Sequence, residues 1–220
     1  MTEREVPLGR GPAGPVRIGD TVRRATGEWT PAVHALLDHL ESVGFDGAPR
    51  AHGVDEKGRE ILDYVEGRVG WRPYPEDIFD DVGLVAAARL IRRYHDAVRD
   101  FTPPADSAWR FLPGAPREGI TCHNDLAPYN TVYRDGRPFA FIDWDLAAPG
   151  PAAWDLAGAA YRFVPLYDDE QCRTLEMPLQ PRGPRLRLFC DAYGLEERQD
   201  LLTLVRRRLE VQLDLDRQSG

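Results

Sequence analysis

His123-Asn124-Asp125-Leu126-Ala127-Pro128-Tyr129-Asn130, followed by Asp143-Trp144-Asp145, is the stretch on which the reading of this chain turns. Between the two lie the apolar runs Thr131-Val132-Tyr133 and Phe139-Ala140-Phe141-Ile142, separated by Arg134-Asp135-Gly136-Arg137, which predicts a hairpin of two short strands. An Asp and an Asn five residues apart on the loop before that hairpin, and another Asp at its far end, bring two carboxylates and an amide oxygen to one place. Hard oxygen donors of this kind hold Mg²⁺, which keeps several waters and completes its shell with substrate phosphates. The spare carboxylate can orient a hydroxyl. Singly, Asn130 or Asp135 would read as a turn residue, so the joint spacing carries the chemistry.

Working outward, the N-terminal third reads as short strands and one helix. Val16–Asp20 and Thr21–Thr26 alternate like strands after a Gly/Pro-rich segment. Thr30 offers an N-cap and Pro31 a first helical position, and Val33, Leu36, Leu37, Leu40 and Val43 recur at helical spacing up to Gly44. Residues 51–67 read as two strands about a turn at Asp55–Gly58. After Gly67–Pro75 a helical period begins, with Ile78, Val82, Val85 and Tyr94 as its apolar positions over 76–98. A proline-bearing loop spans 102–119, and from Trp154 the chain reads as mostly helical. The boundary between a small lobe, 1–67, and a larger one, 68–220, is expected near Arg68.

Of 220 residues, 42% are hydrophobic and 29% charged, enough for a sizeable core and against wholesale disorder. With 36 acidic and 28 basic side chains the net charge is -8, which argues against a general affinity for nucleic acid or anionic lipid. The cluster Arg206–Arg208 reads as a solvated helix face. Cys122, Cys172 and Cys190 form neither a disulfide framework nor a CxxC metal site, and no apolar leader is present, so a reducing, cytoplasmic setting is expected. Lys57 is the one lysine, so any mechanism that needs a lysine has a single candidate.

The stretch His123–Asn130 resembles the H-x-D-x-x-x-x-N catalytic loop of the protein-kinase-like fold, and Asp143-Trp144-Asp145 stands where that fold has its metal-binding Asp. More narrowly the chain is similar to the aminoglycoside phosphotransferase family, which has HGDxxxxN, D-W-D and a helical D-L-A in this order; here the last is Asp155-Leu156-Ala157. The resemblance covers about residues 5–165. It implies a bilobal α+β fold, with a small β-rich lobe over a mostly helical one and ATP·Mg²⁺ between them. It also implies transfer of the γ-phosphoryl group of ATP to the hydroxyl of a small molecule, aminoglycoside-like or another amino alcohol or sugar.

Residue by residue, the resemblance makes Asp125 the catalytic carboxylate, and Asn130 and Asp143 the Mg²⁺ ligands. His123 becomes a loop-fixing residue, and Asp155 the anchor of the catalytic loop. Gly9 and Gly11 would belong to a shortened phosphate-covering loop. Asp63, by its carbonyl, and Val65, by its N–H, would receive adenine at the hinge Asp63–Gly67. Arg24, on the strand Thr21–Arg24, replaces the usual phosphate-gripping lysine, a change of contact geometry rather than a conservative swap. Lys57 sits on a turn.

The helix glutamate that normally pairs with that lysine is missing: Val33 and His34 stand there, and Glu41 lies two turns on. The family also usually continues with more C-terminal helix. Arg24, His34 and that shorter run motivate a second reading, a nucleotide-binding pseudokinase. Phe139–Leu146 also resembles the strand-then-DxD motif of haloacid-dehalogenase-like phosphohydrolases, but no βαβ series accompanies it. Net acidity suits a polycationic acceptor, and Asp168, Asp169, Glu170 and Glu176 could line such a site, although an acidic loop is ordinarily a solvated one. Cys122 is expected to be a buried thiol.

Overall fold

Alternation along the early strands sets up one antiparallel sheet. The computed structural model describes residues 4–8, 14–72, 74, 77–112 and 114–219, with side chains up to residue 211. Strands β1 (Val6–Pro7), β2 (Val16–Ile18), β3 (Thr21–Ala25), β4 (Ala51–Val54) and β5 (Arg59–Asp63) pair in the order β1-β2-β3-β5-β4. In the β3–β5 register Val22 faces Leu62 and Arg24 faces Glu60. Because side chains on a strand alternate, Glu60 and Leu62 share the buried face of β5.

Helix α1 (Thr30–Ser42) covers that sheet, burying Val33, Leu36, Leu37 and Leu40 as its spacing requires. Trp29, rather than Thr30, occupies the cap position; the Thr30 hydroxyl instead accepts from the Gly27 N–H at 2.9 Å.

After β5 the chain crosses into a second sheet, because β6 (Arg68–Val69) pairs with β8 (Thr131–Arg134), which pairs with β9 (Arg137–Phe141) about the expected Asp135-Gly136 turn. A third, two-stranded ladder joins β7 (Ile120–Cys122) to β10 (Ala148–Gly150) and so holds the segment before His123 against the segment after Asp145.

Helix α2 (Asp81–Ala97) starts later than the periodicity suggests, at an Asp80 cap. Its buried face is Leu84, Ala87, Ala88, Leu90, Ile91 and Tyr94, while Val82 is exposed and Ile78 belongs to a small separate cluster with Phe79 and Tyr133. Of the expected apolar positions Tyr94 lies on the buried face, whereas Val82 does not and Ile78 precedes the helix. The remaining helices are α3 (Ala152–Phe163), α4 (Asp169–Thr174), α5 (Arg182–Tyr193) and α6 (Leu201–Ser219). One core joins α1, α2, α3 and α5 through Phe141 and Trp144, so the site loops lie on a continuous packed base. Among the described residues no helix is long and apolar enough to cross a membrane.

Candidate active site

The loop after β7 is shaped from beneath by a buried carboxylate. Asp155, on the first turn of α3, is 1% exposed and accepts from the backbone N–H groups of His123 (2.9 Å) and Asn124 (2.8 Å). His95 Nε2 lies 3.2 Å from the same carboxylate, and its Nδ1 lies 2.8 Å from the Tyr193 hydroxyl. Burial alone would raise the Asp155 pKa, but the His95 hydrogen bond and the charges of His95 and Arg208 hold it below the ordinary range. Asn124 adopts φ 66°, a left-handed backbone that Asn tolerates better than most residues. It stands where the family pattern has glycine.

His123 is fully buried, with Nε2 3.2 Å from the Ile142 carbonyl and the Asp125 N–H donating to its Nδ1 at 3.3 Å. Burial pushes its pKa down, which keeps the ring neutral and able to accept. It fixes the loop, as expected. Asp125 is partly buried; its carboxylate accepts from the Tyr129 hydroxyl at 3.0 Å and from Asn130 Nδ2 at 2.7 Å. Burial raises its pKa above the usual carboxylate range, against the opposing charges of His123 and Arg162. With the Asn130 amide nitrogen committed to Asp125, the amide oxygen remains as a donor to a cation.

Asp143 follows β9 in a left-handed backbone, φ 65°, and Asn130 is drawn to it because the Ile142 N–H donates to the Asn130 carbonyl at 2.9 Å. Arg24 reaches across from β3. Its guanidinium donates to Asp143 Oδ1 at 3.0 Å and also bonds Asp145 and Glu60. Glu60 is 2% exposed and its second oxygen lies 3.1 Å from His34 Nε2. The missing helix glutamate is thus replaced by Glu60 from the neighbouring strand, with His34 of α1 behind it. Glu41 turns away and pairs with Arg50 at 3.1 Å, and Lys57 pairs with Glu5 at 3.0 Å.

A cavity of about 720 Å³ opens between the two sheets. Val22, Leu62, Val132 and Ile142 form its apolar walls, the hinge Asp63, Tyr64 and Val65 forms its rim, and Arg24, Asn130 and Asp143 form its polar end. Flat apolar walls ending in charged groups suit a nucleotide-sized ligand. Gly9 and Gly11 lie outside the described residues.

The sequence reading missed several residues. Asp145, Glu60 and Tyr129 belong to the site, and so does Arg208, which was expected on a solvated face. Arg208 instead turns inward from α6 and donates to the backbone carbonyl and the side-chain oxygen of Asn124. The signal was present: Gly158, a lone glycine inside α3, marks where the Arg208 guanidinium passes, and a Cβ there would collide with it. Cys122 is fully buried, as expected, its thiol donating to the Gly150 carbonyl at 3.3 Å, and burial raises its pKa well above the ordinary value, which disfavours the thiolate.

The chain belongs to the phosphotransferase enzyme family, whose model matches residues 105–189, and it has the kinase-like α+β fold of the aminoglycoside phosphotransferases. A trifolitoxin immunity protein of Rhizobium leguminosarum bv. trifolii is 37% identical over 190 residues, spanning 83% of this chain and 71% of that protein. Among solved structures, aminoglycoside phosphotransferase APH(3'')-Id of Streptomyces rimosus, in complex with ADP and streptomycin, is 15% identical with a TM-score of 0.62, covering 96% of this chain and 92% of that one. An amicoumacin kinase in complex with AMP-PNP, Ca²⁺ and Ami is 12% identical with a TM-score of 0.62, covering 95% of this chain and 81% of that one.

Proposed function

We propose that this protein transfers the γ-phosphoryl group of ATP to a hydroxyl of a small molecule. The observation that carries the reading is the placement of Asp125. It is held by Asn130 and Tyr129, and both of these line the cavity that also takes in Asp63–Val65 and Asp143. In this reading the purine lies between Val22 and Leu62 above and Val132 and Ile142 below, with the hinge backbone reading its edge. The donor set fits Mg²⁺: Asn130 can offer its amide oxygen and Asp143 and Asp145 their carboxylate oxygens, all hard donors, once the Arg24 guanidinium that pairs with both carboxylates turns to the phosphates. Among the described residues no group of three or more His, Cys, Asp or Glu could hold a metal alone, which suits an ion that arrives with nucleotide phosphates. When bound, the ion would neutralise charge on the phosphate oxygens.

Asp125 accepts the proton of the attacking hydroxyl. The new bond forms between that oxygen and the γ-phosphorus while the bond to the β–γ bridging oxygen breaks, and ADP departs with the electron pair. Little covalent work falls to the protein, so alignment and charge compensation dominate. Arg24, tethered by Glu60, is the phosphate-facing cation. A relative named for immunity to trifolitoxin is in keeping with a toxic molecule as the acceptor.

Calorimetric titration with AMP-PNP, with and without Mg²⁺, tests the reading. Binding should require the metal and should be lost in Asp143→Ala; absence of binding to the intact protein would overturn it. A second reading, nucleotide binding without turnover, is favoured by the grip of Arg24 on both Asp143 and Asp145. Metal-independent AMP-PNP binding, with no ADP formed from ATP, would select it.

A further inference from the structure

The side of Asp125 away from the nucleotide cavity is cationic. A second cavity, about 40 Å³, lies there and is lined by Asn124, Asp125, Tyr161, Arg162 and Arg208. That volume admits about two or three water-sized groups. Arg162, on the last turn of α3, is half-buried, with its guanidinium 5.3 Å from the ring centre of Tyr129 and 5.9 Å from that of Tyr161. Tyr167 packs against Tyr161 with ring centres 4.4 Å apart and the planes tilted by 47°. Among the described residues no carboxylate lies within ion-pair distance of Arg162 or of Arg208. Asp125 is the nearby anion, yet it forms no ion pair with Arg162, so this half-buried guanidinium is only partly compensated and a ligand carboxylate in direct contact would complete its pairing.

Two of the four acidic residues that could have drawn a polycation are otherwise engaged. The Asp168 side chain caps α4, accepting from the Gln171 N–H at 2.7 Å, and Asp169 pairs with Arg182 at 2.7 Å. Glu170 and Glu176 are exposed. A polycationic acceptor at this wall would meet two arginines beside the reacting carboxylate, and like charges brought together there would repel it.

Resting on the kinase reading above, we propose that the acceptor carries a carboxylate close to its reactive hydroxyl, bound by Arg162 within the Tyr129, Tyr161 and Tyr167 wall. The planar fork of arginine matches a carboxylate bidentately, and the tyrosine faces accommodate an aromatic or other flat neighbour. Arg162 then selects the acceptor, and Asp125 performs the proton transfer. A hydroxylated amine such as streptomycin is the wrong class of ligand for this wall.

The test uses mandelate and mandelamide as a matched pair, which carry a hydroxyl beside the carboxylate or carboxamide and a flat phenyl neighbour, with streptomycin as the cationic comparison. Each is titrated into the full chain preloaded with AMP-PNP·Mg²⁺. The carboxylate should bind at least tenfold tighter than the carboxamide, and tighter than streptomycin. Arg162→Gln should erase the tenfold difference, and Arg162→Lys, which keeps the charge but not the fork, should retain part of it. Equal affinity for the pair, binding of neither, tighter binding of streptomycin, or a preference that survives Arg162→Gln overturns the proposal. The preceding AMP-PNP titration separates the two levels. Its failure with the intact protein removes the kinase reading, whereas normal nucleotide binding with no carboxylate preference removes only the acceptor class. Weakened AMP-PNP binding in Arg162→Gln would reassign Arg162 to the phosphates and also overturns the proposal.

Discussion

Replacing Arg24 by alanine removes the one group that bridges β3, β5 and the Asp143 loop. Its side chain is 17% exposed and its partner Glu60 only 2%, so this half of the cluster behaves as a buried ion pair. Asp143, 50% exposed, and Asp145, 26% exposed, lie nearer solvent and contribute less. Deleting one partner of a buried pair costs about 3–5 kcal/mol, because the remaining charge is left in the low dielectric. His34, 3.1 Å from Glu60, offers partial compensation and places the expected loss near the lower end, about 3 kcal/mol. Removing the stranded charge as well, in Arg24→Ala/Glu60→Gln, should return about 2 kcal/mol of it. Urea denaturation at neutral pH of the parent, both single variants and the double variant closes the cycle. A loss below about 1 kcal/mol for Arg24→Ala, or strictly additive single effects, would refute the assignment of a buried, coupled pair.

Further outcomes follow from the same geometry. Asp125→Asn should lower turnover by about 10²–10⁴-fold while AMP-PNP affinity holds, measured by steady-state kinetics beside calorimetry. Because burial raises the Asp125 pKa and the group must be ionised to take a proton, kcat/KM should fall on acidification through a pKa above the ordinary carboxylate value of 3.8; a limb at or below that value would exclude Asp125 as the base. Asp155→Asn strands a buried backbone donor and uncouples His95, so a loss of about 3 kcal/mol is expected by denaturant titration. The depressed Asp155 pKa stabilises the fold above the unfolded carboxylate value and ceases to do so as pH falls through the folded one, so the variant should also lose part of the parent's acid-denaturation transition. Gly158→Ala should leave the melting temperature unchanged or higher, since alanine is the better helix former, yet lower turnover by displacing Arg208 from Asn124; unchanged kinetics would show that this contact does not set the loop.

Much of this was legible in the residue order, for identifiable reasons. The loop His123–Asn130 and the hairpin were readable because their contacts are local: Asp125 and Asn130 lie on one turn, and Asp135-Gly136 makes a tight reversal. What escaped were contacts made across the fold. Glu60 meets Arg24 only through the β3–β5 register, and Arg208 meets Asn124 only after α6 packs on α3. No spacing rule connects such positions. The exposure of Val82 escaped for a related reason: it fits the period, but small residues such as Gly83, Ala87 and Ala88 occupy the side pressed into the core. Hydrophobicity alone ranks those alanines below the exposed valine.

The three thiols stand at three structurally separate places: Cys122 in the strand entering the catalytic loop, Cys172 in α4 and Cys190 in α5. All are at most 2% exposed and none is paired. A thiol reagent can reach each of them only while its own surroundings are open, so alkylation kinetics followed by peptide mass would time three breathing motions in one unmodified chain. The rate at Cys122 would report how often the floor of the catalytic loop lifts. Added nucleotide should slow that rate if loop and ligand are linked, with the wild-type residues themselves as the clocks.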